Sequence, residues 1–179
     1  MHLENEIRIL EVDVDKLKDK LLNNGFEYIS TNFQKRYVYD FNPISPNKWI
    51  RLRTNGEKST LTIKEIVDYS AVDGTKEWEI EVSDFNETNE ILNQLGYYAR
   101  NYQENKRIIF RKTGVEIVID TWPLIPTYCE IEAESTEIIK QTLTELNIKE
   151  EDTTTLDVNS IYKKYGIDIK SIKYLKFEE

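Results

Sequence analysis

Carboxylate side chains alternate with other residues in three short segments of this sequence. The segments are residues 4–8, 77–81 and 130–132, which read ENEIR, EWEIE and EIE. Successive side chains of a β-strand point to opposite faces, so the carboxylates of each segment share one face. A face lined with acids is costly to enclose unless positive charge lies against it. The pattern therefore predicts a surface suited to a divalent metal ion.

Arginine and lysine side chains follow the same alternation elsewhere in the chain. Arg51 and Arg53 are two residues apart, Arg107 and Arg111 are four apart, and Lys64 ends the segment 62–64. Arginine binds phosphate oxygens through two parallel hydrogen bonds and keeps its charge when buried. A fold that gathers both sets would place an acidic wall for metal beside a basic wall for polyphosphate.

Composition limits the class of protein. The chain has 179 residues, of which 39% are hydrophobic and 32% charged, and this predicts one charge-rich globular domain spanning residues 1–179. The net charge of −9 argues against a general nucleic-acid binder, whose affinity comes mainly from cations on phosphate. No apolar run approaches the roughly 20 residues that span a bilayer. The acidic N-terminus does not resemble a signal peptide.

The supply of soft ligands limits the kind of metal. His2 and Cys129 are the only histidine and cysteine, so a structural zinc site is excluded and no intramolecular disulfide can form. A single cysteine is typical of a reducing compartment, and we expect a cytoplasmic protein. Any bound metal must be a hard ion held by oxygen, and we expect Mg²⁺ or Mn²⁺.

Apolar periodicity predicts the elements that would position these residues. Strands are predicted over residues 4–10, 27–41, 48–54, 59–66, 76–82, 97–112, 115–121 and 128–133. Helices are predicted over residues 14–22, 84–95, 136–146 and 158–165. Asparagines near 101–105 predict an interruption of the longest strand. Most strands are joined by hairpins, which predicts an α+β fold with an antiparallel sheet.

The two faces of these strands favour a closed barrel over an open sheet. Charges lie on one face and apolar residues on the other, while the helices carry apolar stripes that must cover something. An eight-stranded antiparallel barrel is wide enough inside for one small ligand. The charged face would then line the interior, and the helices would pack outside.

The ordered set of charged residues resembles the signature of the CYTH superfamily, the triphosphate tunnel metalloenzymes. Glu4-x-Glu6-x-Arg8 is similar to the ExExK motif of that family. The rest of the set follows in order: Arg51-x-Arg53, Thr62-x-Lys64, Glu79-x-Glu81, Arg107, Asp120, Glu130-Ile131-Glu132 and Ser160-Ile161-Tyr162. The resemblance covers roughly residues 4–166, and segment 119–123 is similar to that of uncharacterised bacterial members.

This resemblance implies an eight-stranded tunnel that binds a triphosphate with a divalent metal. The family includes class IV adenylyl cyclases, thiamine triphosphatases, inorganic triphosphatases and some RNA triphosphatases. Two departures are visible: Arg8 replaces the signature lysine, and Asn105 lies where a cation is often found. Both matter because lysines in this fold help to decide between hydrolysis and other chemistry.

Individual roles follow from the resemblance. Substrate binding is expected from the cations Arg8, Arg36, Arg51, Arg53, Lys64, Arg107 and Arg111. Metal binding is expected from the acids Glu4, Glu6, Glu79, Glu81, Asp120, Glu130 and Glu132. Catalysis is expected from Glu4, Glu6, Arg8 and Lys64. For Arg36 and Arg111 a surface position is an equal alternative.

Other charged and aromatic residues have ordinary interpretations. Glu77 begins a predicted strand, so we expect it at the surface. Trp49, Trp78 and Trp122 are expected in the outer core or at the rim rather than as platforms on which a base stacks.

The leading interpretation is a metal-dependent phosphohydrolase acting on inorganic triphosphate or a small organic triphosphate. The first alternative is a class IV-type adenylyl cyclase that converts ATP to cyclic AMP and pyrophosphate. A non-catalytic tunnel that binds polyphosphate or nucleotide is the second, and a barrel with a merely solvated polar face is the third. We expect a small-molecule triphosphate as the only partner, with neither nucleic acid nor membrane, and a monomer or homodimer.

Overall fold

A computed structural model describes residues 2–178 of the chain, and its side chains from residue 5 onwards. The strands are β1 His2–Ile9, β2 Glu27–Asp40, β3 Lys48–Thr54, β4 Ser59–Ile66, β5 Thr75–Val82, β6 Asn101–Lys112, β7 Val115–Thr121, β8 Tyr128–Ala133 and β9 Tyr174–Leu175. The α-helices are α1 Val14–Asn23, α2 Phe85–Gln94, α3 Thr136–Glu145 and α4 Val158–Lys164. No helix among the described residues is both long and apolar enough to cross a membrane.

All strands belong to one sheet with the order β2-β3-β4-β5-β1-β8-β7-β6-β9. The eight long strands are antiparallel to their neighbours, and the short β9 adds a parallel pairing with β6. The α+β class and the eight antiparallel strands are therefore confirmed.

The sheet is strongly curled, and the predicted closure into a barrel is met in part. β2 pairs with β3 along one edge and with β6 along the other, from Glu27 opposite Arg111 to Val38 opposite Asn101. The sheet is less continuous between β1 and β5, because these strands pair only over residues 2–4 and 75–77. The sheet thus surrounds a cavity that stays open to solvent.

The apolar face of each strand lies outside and is covered by helices. On β3, Ile50 and Leu52 are buried against Leu92 of α2, while Arg51 points to the opposite face. A second cluster joins β6, β7 and β8 to α1 and α3, with Ile117 at its centre. Each fully buried aliphatic side chain contributes about 1.5–3 kcal/mol, so this outer core holds the curled sheet in shape.

The predicted interruption of the longest strand near residues 101–105 is wrong. The strand runs without interruption from Asn101, although two of its inward residues are asparagines. Asn101 donates from Nδ2 to the Ile169 carbonyl at 3.1 Å, and Asn105 donates to Asp120 at 2.6 Å. Because the Nδ2 groups of both amides find partners, the two asparagines are compatible with a continuous strand.

The segment after α3 covers one end of the curled sheet. Arg8 and Thr154 exchange backbone hydrogen bonds of 2.7 and 2.8 Å, and Asp157 caps α4 by accepting from Ser160 N at 3.0 Å. Downstream of α4, the short 3₁₀ turn Ile169–Ser171 packs beside the start of β6. The covered end is formed by the last residue of β2, the first of β3 and the first of β6.

Candidate functional site

The inner face of the sheet surrounds a cavity of about 730 Å³. It is lined by most of the charged residues expected to bind metal or phosphate: Glu6, Arg8, Arg36, Arg51, Arg53, Lys64, Glu79, Arg107, Asp120, Glu130 and Glu132. Arg36, for which a surface position was an equal alternative, is buried and faces inward. The side chain of Glu4 lies outside the described residues.

Two predicted site residues lie beyond the cavity. Glu81 is exposed near the end of β5, 3.8 Å from Lys58. Arg111 is exposed near the end of β6 and pairs with Glu116 at 2.7 Å. Both have the parity that points inward, but their strands continue past the lined region. The placement of these two residues in the site is therefore corrected.

Four arginines form the basic part of the wall. Arg36 and Arg53 are directly opposite each other across β2 and β3, and Arg51 and Arg107 lie nearby. Burial, followed by the charge of Arg51, lowers the pKa of Arg36 to about 9. The charge of Arg51, followed by burial, lowers the pKa of Arg53. In both cases the charge of Arg51 is among the causes, so the wall holds guanidinium groups that repel one another.

Unused hydrogen-bond donors accompany this cluster. The Nε atoms of Arg36 and Arg51 are buried and have no hydrogen-bond partner among the residues that the structure describes. A buried unsatisfied donor costs about 1–3 kcal/mol. An anion in the cavity would satisfy such donors and reduce the repulsion at once.

Glu130 lies between two arginines. Arg8 Nε donates to Glu130 Oε1 at 2.9 Å, and Arg107 donates to Glu130 Oε2. Burial opposes the charged carboxylate, but the two guanidiniums together outweigh it and lower the pKa of Glu130 to about 2. This carboxylate is thus committed to holding its arginines in place.

All three nitrogen atoms of the Arg8 guanidinium group donate hydrogen bonds within the protein. Besides Glu130 it donates to Glu6 at 2.9 Å and, through Nη1, to the Leu156 carbonyl at 2.9 Å. The contact with Leu156 ties β1 to the segment that covers one end of the cavity. Arg8 therefore positions neighbouring groups and has little donor capacity left for a phosphate.

Asn105 links the basic cluster to a buried acid. It accepts from Arg36 Nη2 and donates to Asp120 Oδ1 at 2.6 Å, while Arg107 Nε donates to Asp120 Oδ2 at 3.0 Å. Burial opposes the charge of Arg107, but Asp120 and Glu130 outweigh it, and the pKa of Arg107 is raised. The neutral amide at position 105 thereby orients Arg36 without adding a further cation.

On the opposite wall, Glu77 is a site residue that sequence reasoning assigned to the surface. Its carboxylate lies 3.0 Å from Arg51 Nη2 and 3.4 Å from Lys64 Nζ, and its side chain is only 13% exposed. Glu79 accepts from Thr62 at 2.7 Å and lies 3.3 Å from Arg51. The shared parity of Glu77 and Glu79 was the signal that could have identified it.

A row of three carboxylates crosses neighbouring strands. Glu132 of β8 is in register with Glu6 of β1 on one side and with Glu116 of β7 on the other. Burial, with the charges of Glu6, Glu116 and Glu130, raises the pKa of Glu132 to about 7. Glu116 was missed because no second acid lies two residues away from it, although it shares the parity of Asp120.

The acids that line the cavity are oxygen donors, which suits a hard divalent ion. Among the residues with described side chains, no three Asp, Glu, His or Cys converge on a point where a metal ion could sit. Glu79, Asp120 and Glu130 are instead bound by arginine. Glu6, Glu116 and Glu132 also have the oxygen donors that a hard ion prefers, and of these Glu6 accepts from Arg8 and Glu116 from Arg111.

Two tryptophans line the cavity, and for Trp122 the expectation of the outer core or the rim is wrong. Trp122 is buried, and the guanidinium carbon of Arg36 lies 4.6 Å from its ring centre. Trp49 lies on the inward face of β3. Trp78 alternates with Glu77 and Glu79 and is partly exposed outside the cavity, as expected.

Comparison with solved structures shows the same fold in several organisms. The PH1012 protein from Pyrococcus horikoshii OT3 is 23% identical, with 87% of this chain and 96% of that chain covered and a TM-score of 0.75. A candidate adenylate cyclase from Vibrio parahaemolyticus is 14% identical, with 90% and 98% covered and a TM-score of 0.74. HpAC1 from Hippeastrum is 17% identical, with 96% and 99% covered and a TM-score of 0.63.

No curated protein matches the sequence. The model of the CYTH domain family matches residues 3–161, which include both the acidic and the basic walls. Together with the ordered motifs and the curled antiparallel sheet, this match shows that the chain belongs to the CYTH domain family of the triphosphate tunnel metalloenzyme superfamily.

Proposed function

We propose that this protein is a divalent-metal-dependent phosphohydrolase that removes a phosphate from a triphosphate held inside the curled sheet. The observation that carries the proposal is the cluster of Arg36, Arg51, Arg53 and Arg107, whose guanidiniums repel one another in a shared cavity. A polyanion bound between these guanidinium groups would offset their repulsion. The pairing of β2 with β6 supports a tunnel as the shape of the site.

The cations that line the cavity favour a ligand with several negative charges. A triphosphate carries several negative charges, which spread over three phosphate groups along a line. Arg53, Arg36 and Arg107 offer planar donors along the wall, and Lys64 adds a point charge on the opposite side. Guanidinium groups bind phosphate oxygens bidentately, so this set would fix both the position and the orientation of the chain of phosphates.

The carboxylates divide into two groups with different tasks. Glu130 and Asp120 hold Arg8 and Arg107 and so preorganise the basic wall. Glu6 and Glu132, with Glu4 on the same strand face as Glu6, are the proposed metal ligands. A divalent ion bound there would neutralise charge on the phosphoryl group and supply a coordinated water.

The protein's own contribution is mainly placement and electrostatic stabilisation. Arg36 and Arg107 would meet the charge that develops on the transferred phosphoryl group, because both are fixed by Asn105, Asp120 or Glu130 before substrate arrives.

The named relatives support a triphosphate as substrate without choosing the reaction. HpAC1 is described by a dominant triphosphatase activity, and the Vibrio protein as a candidate adenylate cyclase. A cyclase would use the same cradle but direct a ribose hydroxyl at the α-phosphorus. We favour hydrolysis because it requires only a water as nucleophile.

The deciding experiment follows products from inorganic triphosphate, ATP and thiamine triphosphate with Mg²⁺, with Mn²⁺ and with chelator. Metal-dependent release of orthophosphate is the expected result. Cyclic AMP with pyrophosphate would establish the cyclase instead. Binding of triphosphate with no product under any condition would leave a binding module, and absence of binding would leave only a polar, solvated interior.

A further inference from the structure

The second half of β5 is a strand edge that is paired on one side only. β4 pairs with β5 along its whole length, whereas β1 pairs only with residues 75–77. No strand in the described part of the chain continues that pairing beside residues 78–82. The N–H and C=O groups along such an edge are a template for a further strand. Residues 78–82 are therefore open to a strand from a second molecule.

The outer face beside this edge is apolar and incompletely covered. Trp78 and Ile80 point away from the cavity, because they alternate with Glu79, which lines it. Both are exposed, and the exposed fraction of Ile80 is 62%. Their neighbours across β4 are Ile63 and Leu61. Adjoining exposed apolar side chains of this size mark an interaction surface.

Helix α2 extends the apolar surface. Leu92 packs on β3, and Asn89 faces β2, where it accepts from the Tyr39 hydroxyl at 2.8 Å. Because an α-helix has 3.6 residues per turn, Ile91 and Leu95 lie on the other flank of α2, toward β4 and β5. Both side chains are exposed. We call the surface formed by Trp78, Ile80, Ile91 and Leu95 the β5 face.

A second copy of this chain supplies both a strand edge and an apolar face. If two β5 strands pair antiparallel with Ile80 at the centre, residues 78–82 of each copy all gain a partner. Trp78 then lies opposite Val82 of the other copy, and the two Ile80 side chains lie opposite each other. Directly opposed residues of an antiparallel pair share a face, so these apolar contacts all form on the outer side.

The same register brings opposite charges together. Lys76 and Asp84 have the same parity and are each four residues from Ile80, so Lys76 of each copy comes beside Asp84 of the other. Asp84 is exposed and continues the extended backbone of β5 as the N-cap of α2. By symmetry the pair occurs twice. This charge complementarity favours a second copy over an arbitrary strand as the occupant.

The acids on the inner side of the edge carry their own counter-charges. Glu79 of one copy would lie opposite Glu81 of the other, and like charges at such positions repel. Arg53 lies 3.6 Å from Glu79, however, and Lys58 lies 3.8 Å from Glu81. Each carboxylate therefore enters the interface already paired with a cation of its own chain.

We propose that this protein forms a two-fold symmetric homodimer through β5, in which residues 78–82 of two copies pair antiparallel and the two β5 faces become one apolar surface. The proposal is independent of the proposed function, because none of these observations concerns a triphosphate. A two-fold contact uses the same surface on both molecules, so the dimer closes and leaves neither edge open to further copies.

Sedimentation velocity of the purified protein tests the proposal. We expect a dimer to form as the concentration rises to about 100 µM. Ile80→Lys places two like charges opposite each other at the centre and should raise the dissociation constant of the dimer at least about tenfold. Phe33→Lys is the matched control, since Phe33 is 64% exposed on β2, three strands from β5, and should leave that constant unchanged.

Three results would overturn the proposal. The wild-type protein could remain a monomer at every concentration, Ile80→Lys could leave the dimer intact, or Phe33→Lys could weaken it equally. Thermal unfolding of each variant verifies that it is folded.

An exchange of charges tests the register with a different pair of residues. Lys76→Glu places an acid beside Asp84 of the other copy and should weaken the dimer at least about threefold. Adding Asp84→Lys to this variant should restore the dissociation constant to within about twofold of the wild-type value. Loss of the α2 cap cannot produce such a recovery, because it removes a stabilising contact. Absence of recovery in the folded double variant would overturn the pairing about Ile80.

Discussion

Glu6 and Glu132 lie directly opposite each other across β1 and β8, so two carboxylates share one side of the cavity. The pKa of Glu132 is raised to about 7 by burial and by the charges of Glu6, Glu116 and Glu130. A carboxyl whose pKa is raised in the folded state favours folding while it is protonated. Its contribution is fully present below the ordinary glutamate pKa and is lost as pH rises through about 7.

Glu132→Gln should therefore alter the pH dependence of stability. The amide cannot ionise, so the variant gains free energy of unfolding relative to wild type as pH rises from about 5 to about 8. Denaturant unfolding at a series of pH values measures the difference. A difference that stays constant across this range would show that Glu132 titrates normally in the folded protein.

Arg53→Gln is expected to weaken binding of inorganic triphosphate without destabilising the free protein. The substitution removes one guanidinium from a cluster in which Arg51 and Arg36 already repel it. We expect affinity to fall about tenfold or more, since a hydrogen bond to a charged group contributes about 1.5–3 kcal/mol. Calorimetry gives the affinity, and thermal unfolding gives the stability.

Arg111→Gln is the control for that experiment. The same charge is removed from an exposed residue that does not line the cavity, although its partner Glu116 does. Its effect on affinity should be within about twofold, apart from a long-range charge effect that salt screens. A loss of affinity equal to that of Arg53→Gln would show that Arg111 contributes to binding of the triphosphate.

Glu130→Gln should destabilise the protein strongly. It leaves Arg8 and Arg107 buried without the carboxylate that they share, and breaking a buried ion pair from one side costs about 3–5 kcal/mol. Added inorganic triphosphate should restore part of the lost melting temperature by supplying negative charge to Arg107. Glu81→Gln, at the exposed pair with Lys58, should change stability by about 0.5 kcal/mol or less. Equal melting temperatures for the two variants would contradict the central role of Glu130.

The double substitution Glu6→Gln with Glu132→Gln should abolish metal binding and metal-dependent turnover. Both groups provide the oxygen donors that a hard ion requires, and the amides carry no charge. Binding of Mn²⁺ can be measured by electron paramagnetic resonance without any turnover. The double variant Glu79→Gln with Glu81→Gln is the comparison, because Glu79 is held by Thr62, Arg51 and Arg53 together and Glu81 lies outside the cavity. Retention of tight Mn²⁺ binding by the first double variant would show that other acids bind the metal.

Several features followed from the sequence because they depend on local periodicity. The alternation around Arg51, Arg53 and Glu130 predicted which side chains share a face, and this parity is intrinsic to a strand. The hairpins and the apolar stripes of the helices predicted the antiparallel sheet and its outer covering. The ordered motifs predicted the CYTH family, which the family match over residues 3–161 confirmed.

Parity alone does not locate a residue along the strand. Glu81 and Arg111 have the correct parity but lie beyond the cavity, whereas Glu77 lies within it. The difference is set by register, which staggers each strand against the next as the sheet curls. Glu116 joined Glu6 and Glu132 for the same reason, since β1, which is distant in sequence, comes into register there with β8 and its neighbour β7.

The sequence by itself determined the alternating faces, the order of elements and the types of charge available for chemistry. Only the tertiary structure decided which charges meet, because ion pairs such as Arg107 with Glu130 join strands through the curvature of the whole sheet. It also decided that Asn105 bridges Arg36 and Asp120, and that Trp122 lines the cavity. These contacts depend on long-range packing, whereas parity depends only on neighbouring residues of one strand.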